Sequence, residues 1–146
     1  MKNETPVGKT QSAGWEVGVR KTFSVTPAHA WQSLITQPGL GYWLGHEVGL
    51  DFTTELKKGT PFKTKEGTVG EIRSFVSGSM VRMRWHASGH KEASTLQIRV
   101  LPAGKKTTIS IHHDKLENAG QRLEMKKHWM GVIGKIGHLL IVPKRD

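Results

Sequence analysis

The residue types that could do acid–base or metal chemistry are present in this chain but poorly clustered. Among 146 residues there are eight histidines and no cysteine, which excludes thiolate nucleophiles, disulfides and cysteine-based zinc sites. The run "HASGH" puts His86 and His90 across a short turn. His112 and His113 are adjacent, so on a strand they face opposite sides. No His-Glu-x-x-His run or tight carboxylate–histidine cluster accompanies them, and the pattern argues against a metal site. For proton transfer, Glu71 and His113 could meet inside the domain if strand register allows it. Glu71 can be read in either strand phase, and a surface carboxylate is the favoured reading. "NETPVGKT" approaches a phosphate-binding loop, but Asn3 stands where its first glycine belongs and no strand precedes it. No Ser-His-Asp or paired-carboxylate arrangement stands out, so no catalytic residue and no cofactor are assigned.

A different chemistry is available to the apolar residues. Met83, Trp85, Ile98, Ile111, Met125, Trp129 and Ile133 are rich in Met and Trp, which suits an adaptable apolar pocket, with Trp43 at its lip. Taken one at a time, each is equally a core-filling residue. His113 shares a strand face with Ile109 and Ile111, where it would either orient a ligand or be satisfied by an internal hydrogen bond. In "LITQPGLGYWLG", residues 34–45, Leu40, Tyr42 and Trp43 are expected to form a gate between glycines that leave its ends free.

The elements that must position these residues are readable from periodicity. Trp15, Val17, Val19, Phe23 and Val25 alternate with polar residues, as in a long strand with one buried face. Thr26 then offers an N-cap and Pro27 a first helical position, with Trp31, Leu34 and Ile35 on one side of a helix over residues 27–35. Pro38 breaks it, and Leu40, Trp43 and Leu44 restart the spacing as a second short helix. Residues 48–115 read as a strand meander, with alternation in "SMVRMRWHA", "STLQIRVL" and "KTTISIHHDKL" and turns near Glu66–Gly67, Gly78, Gly89 and residues 102–106. The last segment is a long helix capped by Asn118 and Gln121, stopped by Pro143 and striped by Met125, Trp129, Val132, Ile133, Ile136, Leu139 and Leu140. Gly131, Gly134 and Gly137 are expected to fall off that stripe. The order is that of an α+β domain: a curved antiparallel β-sheet wrapped around a long C-terminal helix, with two short helices after the first strand.

Charge and hydropathy narrow the partners. Lys and Arg number 22 against 12 Asp and Glu, a formal charge of +10, yet the basic residues are scattered and interleaved with acids. That argues for a solvated surface rather than nucleic-acid binding. Nothing resembles a signal peptide or a membrane span, so a cytoplasmic location is expected and the sequon at Asn3 would be idle. Residues 1–13 are expected to be a mobile tail, residues 14–142 one domain and residues 143–146 a short tail.

"FSVTPAHAWQSLITQPGLGYWLG", "GTVGEIRSF", "VRMRW", "STLQIRVLPAGKKTTISIHH" and "LEMKKHWMGVIGKI", in this order from about residue 15 to residue 141, resemble the START-like (SRPBCC) superfamily. Within it they are similar to the family named after the C-terminal domain of the activator of heat shock protein 90 ATPase. The resemblance implies a helix-grip fold with a cavity between sheet, long helix and short helices, used by superfamily relatives for lipids, hormones or polyketides. The family does not fix one activity, and the first reading is non-enzymatic binding of a small apolar or amphipathic molecule. A chaperone-associated module meeting a chaperone or other acidic protein is the alternative, and a cyclase- or hydrolase-type enzyme is the third reading. It transfers no catalytic motif.

Overall fold

The computed structural model describes residues 9–10 and 14–141. Strands β1 (Lys9–Thr10) and β2 (Gly14–Phe23) come first, followed by helices α1 (Pro27–Ile35) and α2 (Gly39–Trp43). Strands β3 (Pro61–Lys63), β4 (Val69–Val76), β5 (Met80–His86), β6 (Ser94–Ala103) and β7 (Lys106–Leu116) form the meander, and α3 (Ala119–Ile141) closes the chain. The strands make one curved antiparallel sheet in the order β1-β2-β7-β6-β5-β4-β3. This is the helix-grip architecture, with α3 held against the inner face.

Each helix begins where local chemistry allows it. Thr26 Oγ1 accepts the backbone N–H of His29, and Pro27 occupies the first turn, where its missing N–H is no loss. At the start of α3 the Asn118 side-chain oxygen accepts from Gln121 N, while Gln121 Oε1 accepts from Glu117 N, reciprocal capping that satisfies donors a helix start otherwise leaves free. Arg122 Nε also donates to the Glu16 carbonyl, tying the start of α3 to β2.

The strand alternation sorts residues onto two faces. Ile72, Val81, Met83, Trp85, Leu96, Ile98, Val100, Ile109 and Ile111 point inward and are buried, meeting Met125, Trp129, Val132, Ile133, Ile136 and Leu140 of α3. Each such side chain contributes roughly 1.5–3 kcal/mol when fully removed from water. In β2 the alternation holds at Val17 and Phe23, with Val19 half-buried and Lys21 exposed. The strand ends at Phe23, two residues before the expected Val25.

One expectation about α3 needs correction. Gly131 and Gly134 face open space, but Gly137 is buried, and a Cβ built there would lie 2.7 Å from Cε1 of Phe23. Gly137 therefore belongs to the packed face and lets β2 approach the helix. Its place depended on the Phe23 ring, which helical periodicity alone does not reveal. The meander also starts later than expected, since β3 first appears at Pro61. Within the tail expected over residues 1–13, Lys9 and Thr10 pair with Trp15 and Gly14. Residues 1–8, 11–13 and 142–146 lie outside the described residues.

Candidate functional site

A cleft of about 360 Å³ opens between α2, the β3–β4 turn, the β5–β6 turn and the first half of α3. Its apolar wall comes from Tyr42, Trp43 and Leu44 at the end of α2, Trp85 at the end of β5, and Met125 on α3. Glu66, Thr68, His90, Glu124 and His128 supply polar groups to its walls.

Trp85 is the residue with unfinished chemistry. It is 6% exposed, and its indole Nε1 has no hydrogen-bond partner. A buried N–H left unpaired costs about 1–3 kcal/mol. Beside it, His90 meets the Trp85 ring edge-on at 5.7 Å and has an equally unpartnered Nδ1. The turn carrying His90 is held by His86, whose Nε2 lies 2.6 Å from the His90 carbonyl oxygen. Two ring nitrogens without partners thus sit on adjoining residues of one wall.

Behind Trp85 the polar groups are fully matched. His113 is fully buried, with its ring 4.8 Å from that of Trp85. Trp129 Nε1–H donates to His113 Nδ1 at 3.0 Å, and Ser94 Oγ lies 2.6 Å from His113 Nε2. Ser94 in turn donates to the Trp85 carbonyl. Burial, reinforced by the neighbouring histidines His90, His128 and His112, pushes the His113 pKa down to about 3, so the ring is neutral. His128, edge-on to Trp129 at 4.6 Å, is also shifted down, by burial first and then by Lys135.

The structure brings Trp43, Trp85 and Met125 to the cleft wall. Met83, Ile98, Ile111, His113, Trp129 and Ile133 lie in the packed core behind it. The expected gate residues divide in the same way. Leu40 and Trp43 are buried, and Trp43 Nε1 donates to the Leu34 carbonyl at 2.7 Å while its ring packs edge-on against Phe52. Tyr42 is half-buried at the cleft, with Lys135 Nζ 5.8 Å from its ring centre. His90, in sequence a candidate only for metal binding, and His128 also contribute to the cleft. The spacing of His128, three residues after Met125, places both on one side of the helix.

Glu71 lies on the opposite sheet face from His113. It sits next to the inward-pointing Ile72 and accepts a hydrogen bond from Arg73 at 2.8 Å. The acid–base pair envisaged from sequence is therefore not assembled. Among the described residues, no three His, Asp or Glu side chains converge as metal ligands, and no helix is long and apolar enough to cross a membrane.

A curved antiparallel sheet gripping a C-terminal helix, with two short helices flanking a cleft at one end, defines a START-like helix-grip domain. The model of the family described as Activator of Hsp90 ATPase homolog 1-like protein matches residues 24–140, and the chain belongs to that family. No curated protein matches the chain in sequence. Among solved structures, an HSP90 activator from Plasmodium falciparum superposes with a TM-score of 0.70 at 18% identity, covering 90% of this chain and 100% of that one. The Aha1 dimer from Colwellia psychrerythraea gives 0.69 at 12% identity, over 89% and 98% of the two chains. DynU16, from the dynemicin biosynthetic locus, gives 0.71 at 13% identity over 86% of this chain, which spans only 46% of DynU16. At these identities the likeness is one of fold.

Proposed function

We propose that this protein binds a small amphipathic molecule, without chemical conversion, in the cleft between α2, α3 and the two strand turns. The observation that carries this reading is the unpartnered indole N–H of Trp85 beside the apolar side chains of the cleft. A ligand would lay its apolar body against Tyr42, Trp43, Leu44 and Met125 and place an acceptor oxygen at Trp85 Nε1. Tyr42 is the movable part of the gate, since Trp43 is anchored to Leu34. His113 holds Trp85 and Trp129 in place from behind and does not touch the ligand. In this reading residues 14–142 act as one domain in the cytoplasm. Native mass spectrometry of protein purified from its own host tests the proposal. A retained small molecule, released by Tyr42→Ala, is the expected result. An empty protein whose Trp fluorescence ignores fatty acids and aromatic amphiphiles would overturn it.

A second reading, a chaperone-associated interaction module, is favoured by the end-to-end superposition on the Plasmodium falciparum HSP90 activator. Immobilised protein retaining the host's HSP90 homologue supports it, and a clean negative removes it.

A further inference from the structure

The outer face of the sheet carries a groove unrelated to the cleft. It has a volume of about 460 Å³ and is lined by Lys58, Arg73, Arg82, Arg84 and Lys115, with Ser74 and Thr95 between them. We propose that this groove is a binding site for a small molecule bearing two or more phosphate groups.

The cations reach the groove in two ways. Arg82 and Arg84 are alternate residues of β5, so their side chains leave one face about 7 Å apart. The other strands place their cations there by breaking register. In the β4–β5 ladder Ile72 faces Met83 and Ser74 faces Arg82, leaving Arg73 as an extra residue. In the β2–β7 ladder Trp15 faces Leu116 and Val17 faces His113, so Asp114 and Lys115 together oppose Glu16. Lys115 adopts φ +59°, a left-handed conformation that favours glycine. Such bulges re-aim side chains, and here two independent ones deliver a cation to the same groove.

Only part of this charge is neutralised within the fold. Glu71, the cross-strand register partner of Arg84, is bound to Arg73, which fixes that guanidinium in place. Asp114, the register neighbour of Thr95, lies 4.0 Å from His112 and keeps its Oδ1 without a hydrogen-bond partner. Among the described residues Lys58, Arg82, Arg84 and Lys115 have no ion-pair partner. Arg82 and Arg84, alternate residues on one strand face, repel one another, and an oxyanion between them relieves that repulsion. Guanidinium groups match phosphate oxygens with paired N–H donors, which selects phosphate over a simple counter-ion. None of the lining residues is aromatic, so the groove has no platform on which the bases of single-stranded nucleic acid could stack.

Calorimetric titration with inorganic tripolyphosphate, at about 150 mM salt to screen diffuse attraction, tests the site. Saturable one-to-one binding is expected. The double variant Arg82→Gln/Arg84→Gln should weaken it about tenfold or more, the loss of one charge-assisted pair of bonds. Lys126→Gln/Lys127→Gln, which removes equal charge from α3, should leave it within a factor of about two. Arg82→Lys/Arg84→Lys keeps the charge but loses the fork, and should also weaken binding. Near-ultraviolet circular dichroism verifies that each variant is folded. The proposal is overturned by absence of saturable binding, by equal weakening in the Gln pairs, or by full binding in the Lys variant. Citrate binding as tightly as tripolyphosphate, or affinity for a DNA duplex that grows with its length, would also overturn it.

Discussion

Trp129 donates its indole N–H to Nδ1 of His113, three ångströms away inside the core. Because Nδ1 accepts, the neutral ring carries its proton on Nε2 and donates it to Ser94 Oγ, whose hydroxyl then donates to the Trp85 carbonyl. The chain of donors runs in one direction and ends on a backbone oxygen. A second proton on His113 would have to displace the Trp129 donor, in a place where water cannot reach.

Acid should therefore weaken this protein through His113. Its pKa is lowered in the folded state to about 3 from an ordinary 6.5. Between those values the unfolded chain binds a proton that the folded chain refuses, so stability falls as pH falls. The slope approaches about 1.4 kcal/mol per pH unit across that window and vanishes below it. Urea titrations between pH 7 and pH 4 check this. His113→Gln should flatten the slope while lowering stability at pH 7. An unchanged slope in that variant would assign the acid sensitivity to other groups.

Replacing glycines of α3 by alanine should give opposite signs along one helix. At Gly131 and Gly134 a Cβ meets nothing within 4 Å, so alanine should stabilise by up to about 1 kcal/mol at each. At Gly137 it would meet the Phe23 ring at 2.7 Å. Overpacking there costs about 1–3 kcal/mol and outweighs the helix gain. Thermal melts of the three single variants decide it. Stabilisation by Gly137→Ala would mean that β2 yields more readily than its buried Phe23 suggests.

Trp85→Phe separates folding from binding at the cleft. It removes an N–H that has no partner in the protein, a gain of about 1–3 kcal/mol. It also removes part of a buried ring packed on His113 and Trp129. Because the two effects oppose one another, the net change in stability without ligand should be small. Affinity for an acceptor-bearing ligand should fall by about tenfold, the loss of one hydrogen bond in a desolvated site. Equal affinity in the variant would place the ligand's polar end elsewhere on the wall.

What the sequence made legible follows from what periodicity encodes. Alternation at Val81, Met83 and Trp85, or at Leu96, Ile98 and Val100, specifies an inner face for each strand whatever its neighbours do. Thr26–Pro27 and Asn118–Gln121 specify helix starts through contacts only a few residues apart. The sheet wrapped around α3 then follows, because both apolar faces need cover. The cleft depends on contacts that periodicity does not carry. Whether Met83 or Met125 reaches a cavity wall is decided by the curvature of the sheet, and both look alike in sequence. Arg73 and Lys115 reach the outer groove through bulges, and a bulge is a property of two paired strands rather than of either one. Gly137 is explained only by Phe23, more than a hundred residues earlier.

The segment after α2 should loosen when Glu66 is lost. Glu66 accepts from the His46 backbone N–H at 2.9 Å and from the His46 ring, linking the end of α2 to the β3–β4 turn across the cleft. These bonds, the side-chain one first, lower the Glu66 pKa to about 2. Its contribution is therefore complete above the ordinary value of 4.5 and is lost as pH falls toward 2. Both groups are exposed and solvent screens the pair, so the effect belongs to local order rather than global stability. Hydrogen exchange of residues 40–46 should accelerate in Glu66→Ala with the melting temperature nearly unchanged. A ligand filling the cleft should slow the same amides in the parent protein and restore part of the loss in the variant. Exchange that ignores both the substitution and the ligand would mean that the segment beside Tyr42 is fixed by Trp43 alone and does not act as a gate.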